Sequence, residues 1–370
     1  MITITAKFQI LPTSAEQLLL SATMQAYSAA CNFVSDHIFE THDLNQSSLN
    51  TILYQTLRCQ FGLKSQMAQS TLKTVIARYK TILKTQKEWR KPNFRHPEYD
   101  LVWNRDYSLL ADSFSVNTLT GRLKLKCHKE GMQQYFDDVW HFGTAKLVHK
   151  HKKWFLHIPV TRDSETLSDN DVCNVVGVDL GINFLATTYD SKKQTTFFNG
   201  RAIKQKRAGY KSLRSQLQRK QTPSARHRLK AIGQRENRWM CDVNHQISKA
   251  LVDSHPTGTL FILEDLTGIR TVTEKVKRKN RYVSVSWAFF DFRQKLAYKA
   301  LLAGDNTLFV DPAYTSQTCP SCGHTEAANR NKKKHVFVCK NCHYTSNDDR
   351  IGAMNLYAKG IQYLSTVSNA

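Results

Sequence analysis

Four cysteines near the C-terminus constrain this chain more than any other feature. They form two CxxC turns, Cys319-Pro-Ser-Cys322 and Cys339-Lys-Asn-Cys342, separated by sixteen residues. Each turn presents two thiolates, and two such turns complete a tetrahedron around zinc. Ser321, Gly323 and Asn341 keep the turns small enough for that geometry. The competing reading, two disulfides or four unrelated thiols, fits the spacing poorly. With cysteine at all four positions the site is closed, so the pattern predicts a structural zinc knuckle, and chemistry has to be sought elsewhere. The other five cysteines, Cys31, Cys59, Cys127, Cys173 and Cys241, follow no pattern. The chain opens as a strand, Met1-Ile2-Thr3-Ile4-Thr5, without the basic start and apolar stretch of a secretion signal. These five are therefore expected as reduced thiols of a cytosolic protein.

The charge balance narrows the partners. At 370 residues, 53 Lys and Arg stand against 30 Asp and Glu, a formal net charge of +23. A folded chain with that excess repels itself unless a polyanion neutralises it, which makes nucleic acid the default partner. A membrane surface is the competitor, but no apolar run approaches the length of a span. The excess is also concentrated: residues 201–240 hold thirteen Lys or Arg and one acidic residue, Glu236. A solvated helix face mixes signs, so this stretch points to phosphate contact. A second dense run, Lys275, Lys277, Arg278, Lys279 and Arg281, follows.

The length allows two or three domains. Residues 1–10 alternate as a strand, and Ser14 with Gln17 suggests a capping box for a helix burying Leu18, Leu19, Ala22, Ala29, Ala30 and Phe33. Helical patterns follow at about 47–60 and 65–90, and Lys91 to Pro97 reads as a basic linker. From about 100 to 160 the period is two, with strands at 115–117, 122–126, 145–149 and 154–160. His149, His151 and His157 fit a polar strand face better than a metal site, having no acid or cysteine beside them. The polar stretch 161–171 reads as a boundary. Beyond it come a valine-rich strand at 175–182, a helical hairpin broken at Pro223, a strand from Gly258 to Leu263, a helix carrying Trp287, Phe290, Leu296 and Tyr298, and a strand at 308–310.

Three acids stand at the ends of apolar elements. Asp179 closes the valine-rich strand, Glu264 closes Leu260-Phe261-Ile262-Leu263, and Asp349 opens a helical pattern through Ile351, Met354, Leu356 and Tyr357. An ionised carboxylate in such surroundings is costly, on the order of several kcal/mol, unless partners offset it. A hard-cation site is one reading: magnesium takes oxygen ligands, and two ions about 4 Å apart activate water in phosphodiester cleavage. The other reading is three unrelated residues: a strand end, a helix N-terminus and a surface position. Residue type and position leave both open.

A resemblance separates them. Gly177-Val178-Asp179-Leu180-Gly181-Ile182-Asn183, Leu263-Glu264-Asp265-Leu266 and Asn347-Asp348-Asp349-Arg350-Ile351-Gly352-Ala353-Met354-Asn355-Leu356 resemble the three RuvC-like nuclease motifs of the TnpB family. Asp311-Pro-Ala-Tyr-Thr-Ser-Gln-Thr-Cys319-Pro-Ser-Cys322-Gly323 is similar to that family's approach to its zinc knuckle. The match covers about 172–360 closely and 1–35 more loosely.

The resemblance implies an α/β multidomain fold. It would hold an RNase H-like (RuvC) nuclease domain at 172–317 and 345–370 and a zinc-binding domain at 318–344. A β-barrel-like wedge domain would occupy 1–10 and 96–160, with a helical recognition lobe inserted at 11–95. It implies Mg2+ (or Mn2+) at Asp179, Glu264 and Asp349, and structural Zn2+ at Cys319, Cys322, Cys339 and Cys342. The implied activity is RNA-guided DNA cleavage for a transposable element, by a cytoplasmic, nucleoid-associated prokaryotic protein. Its partners would be a guide RNA and target DNA, with no membrane, and the protein would be monomeric in the ribonucleoprotein. A nuclease-inactive regulator and a compact type V CRISPR effector are the alternatives; the first is disfavoured because all three acids are present. Two departures stand out. Ile351 replaces the Asn of many relatives, and Asp348 beside Asp349 leaves the third motif's register open by one position; the following Gly-Ala-x-Asn aligns on Asp349.

Overall fold

The computed structural model describes residues 1–368 except 96–97, 129, 138, 182, 267–288 and 332–333. The basic run at 275–281 and Trp287 lie outside the described residues. The chain divides into two units, Met1–Asp163 and Ser164–Ala370. Among the described residues no helix is long and apolar enough to cross a membrane.

In the first unit, β1 (Ile2–Ile10) pairs antiparallel with β8 (Lys153–Arg162) along its whole length, from Ile2–Arg162 to Ile10–Trp154. β7 (Ala145–Lys150) and β2 (Tyr99–Leu101) extend that sheet in the order β1-β8-β7-β2, and β6 (His141–Phe142) pairs with β8. A second sheet holds β3 (Tyr107–Leu109), β4 (Ser113–Asn117) and β5 (Arg122–Lys126). The two sheets meet where Leu11 N donates to Lys126 O (2.8 Å) and His128 N to Gln9 O (2.9 Å). The Phe8 and Phe114 rings pack 5.2 Å apart between them. Among the described residues the three histidines form no metal-ligating group; His149 instead stacks on Trp154 at 4.3 Å.

Three helices belong to this unit: α1 (Ser14–Thr41), α2 (Gln46–Gln60) and α3 (Ser65–Gln86). The capping box sits one residue earlier than the sequence suggests, with Thr13 as cap and Glu16 reaching back to the Thr13 amide at 2.7 Å. The buried face of α1 also differs: Ala30 is buried as expected but Leu18 is 73% exposed, and Leu20, Met24, Tyr27, Cys31, Val34 and Ile38 are buried instead. That stripe keeps alternating three- and four-residue steps along the helix, whereas the expected one breaks between Ala22 and Ala29. α3 stops at Gln86, short of the expected 90, because Lys87 turns into the left-handed region (φ 55°) and returns its amide to Leu83 O.

The second unit is built on a five-stranded sheet in the order β11-β10-β9-β12-β13. β9 (Asn174–Asp179), β12 (Thr259–Glu264) and β13 (Asn306–Val310) are parallel neighbours, and β10 (Phe184–Asp190) pairs antiparallel with both β9 and β11 (Thr195–Asn199). Parallel strands covered on both faces need continuous apolar runs, which the valine-rich and Leu260–Leu263 segments supply. On one face α5 (Pro223–Asp253) and α6 (Phe289–Leu302) bury Leu251, Val252, Phe292, Leu296 and Ala300 against Val176, Val178, Phe261 and Leu263. On the other, α7 (Asp348–Ser368) places Leu356 on Val175, Leu260 and Ile262. α7 lies so close that a Cβ on Gly177 would meet Ala353 O at 2.1 Å.

α4 (Arg201–Lys220) and α5 join at Thr222, which caps α5 ahead of Pro223, so the broken helical pattern becomes two packed helices. Glu236, the one acid of that stretch, is buried and paired with Arg207 and Arg214. Eleven of the thirteen basic residues are exposed, leaving their charge for an external partner. A small sheet of β14 (Arg330–Asn331), β15 (Val336–Val338) and β16 (Thr345–Asn347) carries the cysteine turns and runs directly into α7.

Candidate active site

The strand order explains why distant acids meet. β9 and β12 are parallel neighbours with Val178 opposite Leu263, so the next residues, Asp179 and Glu264, leave the sheet side by side at its carboxyl edge. α7 starts at the same edge. Asn347 Oδ1 accepts the amides of Asp349 (3.0 Å) and Arg350 (3.2 Å), fixing the first turn and its acidic pair. The next turn lies against Asp179: a Cβ on Gly352 would be 2.8 Å from its Cγ. On the other side, a Cβ on Gly181 would lie 3.8 Å from Asp349 Oδ1.

Electrostatics mark the convergence. Burial first, then the charges of Glu264 and Asp349, push the Asp179 carboxyl well above the usual carboxylate range. Burial also raises Glu264, against the opposing pull of the Thr315 hydroxyl, Lys359 and Arg330. Asp349 is raised by burial and then by Asp348, and lowered by Arg330 and His335. Like charges crowded in a low-dielectric pocket favour the protonated form unless a cation joins them. Among the described residues the three acids do not bring one ligand atom each within 4.8 Å of the others; the acidic group that does is His335, Asp348 and Asp349.

Asp348 plays a different part from its neighbour. It is fully buried and held by Arg330 Nε (2.8 Å) and His335 Nδ1 (3.3 Å), both from the small cysteine-bearing sheet region. Arg330 also reaches Asp349 Oδ1 at 3.8 Å. His335 Nε2 meets Asn183 Nδ2 at 2.5 Å, and Lys204 donates to Asn183 Oδ1 at 2.9 Å. Asp348 is thus tied into the protein, while Asp349 stays beside Asp179.

The four cysteines come together as a possible zinc site. Cys319 Sγ lies 3.6 Å from Cys342 Sγ, Cys322 Sγ 3.6 Å from Cys339 Sγ, and all four sulfurs are within 4.8 Å of one another. These separations exceed the S–S bond of about 2.05 Å. Backbone donation at His324 draws the Cys322 thiol down to about 6, whereas Cys342, despite donation from the Tyr344 amide, is pushed up to about 12 by its contact with Cys322, so the thiols titrate as a group. Ile351 has a packing role: with Phe337, Cys319 and Cys339 it forms the core between the cysteine turns and α7. An Asn there would place an amide in that core.

Comparison with known proteins agrees with this arrangement. Residues 157–267 match the model described as "Probable transposase", and residues 289–356 match "Cas12f1-like, TNB domain". The chain is 25% identical, across 96% of its own length and 91% of the relative's, to "Putative RNA-guided DNA endonuclease InsQ" of Escherichia coli (strain K12). Further matches include TnpB-like proteins of Methanocaldococcus jannaschii. The chain is thus similar to proteins of the TnpB family. It is also 28% identical, over 61% of its length, to "CRISPR-associated endodeoxyribonuclease Cas12f1" of Sulfoacidibacillus thermotolerans, and spans 55% of that protein. It thus covers about half the length of the Cas12f1 relatives it matches. Among solved structures, the protein in "Cryo-EM structure of the Cas12f1-sgRNA-target DNA complex" aligns over 93% of this chain and 82% of its own, with a TM-score of 0.61. At 14% identity that likeness is one of α/β fold alone.

Sequence reasoning missed three contributors. Arg330 and His335 carry no signal in a chain so rich in basic residues; only the register of the small sheet brings them to Asp348. Thr315 lay within the quoted approach to the cysteines, but its hydroxyl contact with Glu264 at 2.5 Å needs the fold to appear.

Proposed function

We propose that this chain is an RNA-guided DNA endonuclease of a transposable element, cutting guide-complementary DNA at Asp179, Glu264 and Asp349. The observation that carries the reading is the convergence of these three acids, each with a raised pKa, at one sheet edge. Relatives of this chain bear endonuclease names, one of them RNA-guided, which supports carrying that activity here.

The residues suit a divalent metal. All three offer hard oxygen donors, their mutual repulsion is relieved by a cation, and Asp179 lies bare against Gly352. Mg2+ or Mn2+ bound there would polarise the scissile phosphate and activate water. Asp179 and Glu264 hold their positions from rigid strand ends, and Asp349 from a capped helix turn. Arg330 adds a guanidinium beside the acids, matched to a phosphate's oxygens. The four cysteines suit Zn2+: Zn–S bonds of about 2.3 Å in a tetrahedron put sulfurs about 3.8 Å apart.

In this reading 172–317 and 345–370 form the RuvC-like nuclease and 318–344 the zinc domain. Residues 1–10 and 96–160 form the wedge, and 11–95 the recognition lobe. Guide RNA and target DNA are the partners, and the exposed basic faces of α4 and α5 bind their phosphates.

The test is Asp179→Ala in the purified ribonucleoprotein. Cleavage of a target matching the co-purified RNA is expected to vanish while RNA and target binding persist. Retained cutting, or the absence of any dominant bound RNA, refutes the proposal.

A further inference from the structure

The segment between β13 and the first cysteine turn is held more firmly than a linker to a zinc knuckle requires. α7 straps it at two points: Lys359 Nζ donates to Asp311 O (2.6 Å), and Asn355 Nδ2 donates to Thr315 O (2.6 Å) and Thr318 O (2.8 Å). Asn355 and Lys359 are one helical turn apart, and Asn355 is itself 9% exposed. Within the strap Tyr314 takes a left-handed conformation (φ 63°), which costs a non-glycine residue about 1–2 kcal/mol. Such strain persists only where the surroundings over-determine it. What the turn achieves is the placement of Thr315: 3% exposed, with Oγ1 2.5 Å from Glu264 Oε1. Among the described residues no other side chain hydrogen-bonds the Glu264 carboxylate.

We infer that Thr315 is the positioning residue for Glu264, and that Asn355 anchors Thr315. The zinc knuckle's stem thereby sets the orientation of the glutamate. The inference rests on the metal-site reading above and deepens it. Glu264 ends a strand, so its backbone is fixed, yet its side chain has three rotatable bonds to lose before it can serve a cation. The Thr315 hydroxyl takes Oε1 as its acceptor and so removes that freedom. A hydroxyl has one hydrogen to give. Pro312 O, at 3.0 Å, is the alternative acceptor, and the shorter contact to a carboxylate is the stronger claim on it.

The test compares Thr315→Val, which keeps the shape and removes the hydroxyl, with Thr315→Ser, which restores it. Mn2+ binding is titrated by electron paramagnetic resonance on the zinc-loaded full chain without substrate, with Asp179→Ala as a reference. In parallel, target cleavage by the ribonucleoprotein is followed against Mg2+ concentration. Removing a hydrogen-bond partner of a metal ligand typically weakens metal affinity about 10- to 100-fold. Thr315→Val is expected to bind Mn2+ at least tenfold more weakly and to need correspondingly more Mg2+. RNA and target binding should be unchanged, and Thr315→Ser should be close to the parent. A purely structural role for Thr315 would lower the thermal midpoint without selectively moving metal affinity. Parental Mn2+ affinity in Thr315→Val, or failure of serine to rescue, overturns the inference. If the valine variant does not fold, Thr315→Ala against Thr315→Ser carries the same comparison. Parental protein whose Mn2+ binding is indifferent to Asp179→Ala sinks the metal-site reading itself, and this inference with it.

Discussion

Replacing Gly177 by alanine tests the link between packing and chemistry most directly. Gly177 sits in the middle of β9, and a methyl there would lie 2.1 Å from Ala353 O and 2.5 Å from Tyr357 N, both backbone atoms of α7. Ordinary contact begins at 3.4 Å, so α7 must retreat by about 1.3 Å or the strand must bow by as much. Overpacking of this kind costs about 1–3 kcal/mol, and a rigid backbone neighbour puts this case at the upper end. For a unit the size of Ser164–Ala370, about 3 kcal/mol corresponds to a fall in the thermal midpoint of about 6–12 °C. The same displacement carries Asp349 away from Asp179. A misplacement of about 1 Å costs on the order of a hundredfold in rate, so cleavage by the folded variant should fall by about that factor. The assay pairs thermal unfolding with single-turnover cleavage of a guide-matched target. Gly209→Ala is the control: nothing lies within 4 Å of a Cβ there, in mid α4, so it should be neutral or stabilise by up to about 1 kcal/mol. If Gly177→Ala melts within about 2 °C of the parent and cuts at the parental rate, the close seating of α7 does not set the site, and the argument fails.

Two further outcomes follow from the same geometry. The carboxyls of Asp179, Glu264 and Asp349 all sit above their ordinary value, so the folded chain holds protons that the unfolded chain releases. Stability from these groups is greatest below the ordinary carboxylate value of about 4 and declines as pH rises through the raised values. Without added divalent cation, lowering the pH from about 7 toward 5 should therefore raise the thermal midpoint relative to an Asp179→Asn variant, whose profile should be flatter; parallel profiles would contradict the shifts. Cys339→Ser should reduce bound zinc to nothing by colorimetric metal assay and loosen the core of Phe337 and Ile351, abolishing cleavage through Arg330 and Thr315; full activity without zinc would separate the knuckle from the site.

How much of this could be read before folding depends on how local the cause is. The strands ending at Asp179 and Glu264 were legible because a parallel strand buried on both faces must be apolar throughout, and a carboxylate closing such a run is conspicuous. The cysteine turns were legible because their chemistry is written in spacing alone. The buried stripe of α1 was misjudged for the opposite reason. Its helix has apolar residues on several faces, and only the packing partners select Leu20 and Tyr27 over Leu18.

The same contrast runs through the site. An acid closing a buried strand reveals itself by standing out from an apolar background, but the groups that hold it do not stand out at all. Arg330 is one of 53 Lys and Arg, and Thr315 one hydroxyl among many. Their roles come from the crossing of three elements: the strap before the cysteines meets β12, the small sheet meets the first turn of α7, and α7 meets β9. The register of Asp348 and Asp349 is the clearest instance. Adjacent identical residues give sequence no basis for choosing between them beyond the pattern that follows. Helix geometry turns successive side chains about 100° apart, so one points into the protein and the other toward the sheet edge. Asp348 takes Arg330 and His335 as partners, and Asp349 is left beside Asp179 to share its charge. The duplication that blurs the motif thus divides the contacts, with Asp348 joining the cysteine-bearing sheet region to α7 and Asp349 set against Asp179, 3.8 Å from the Arg330 guanidinium.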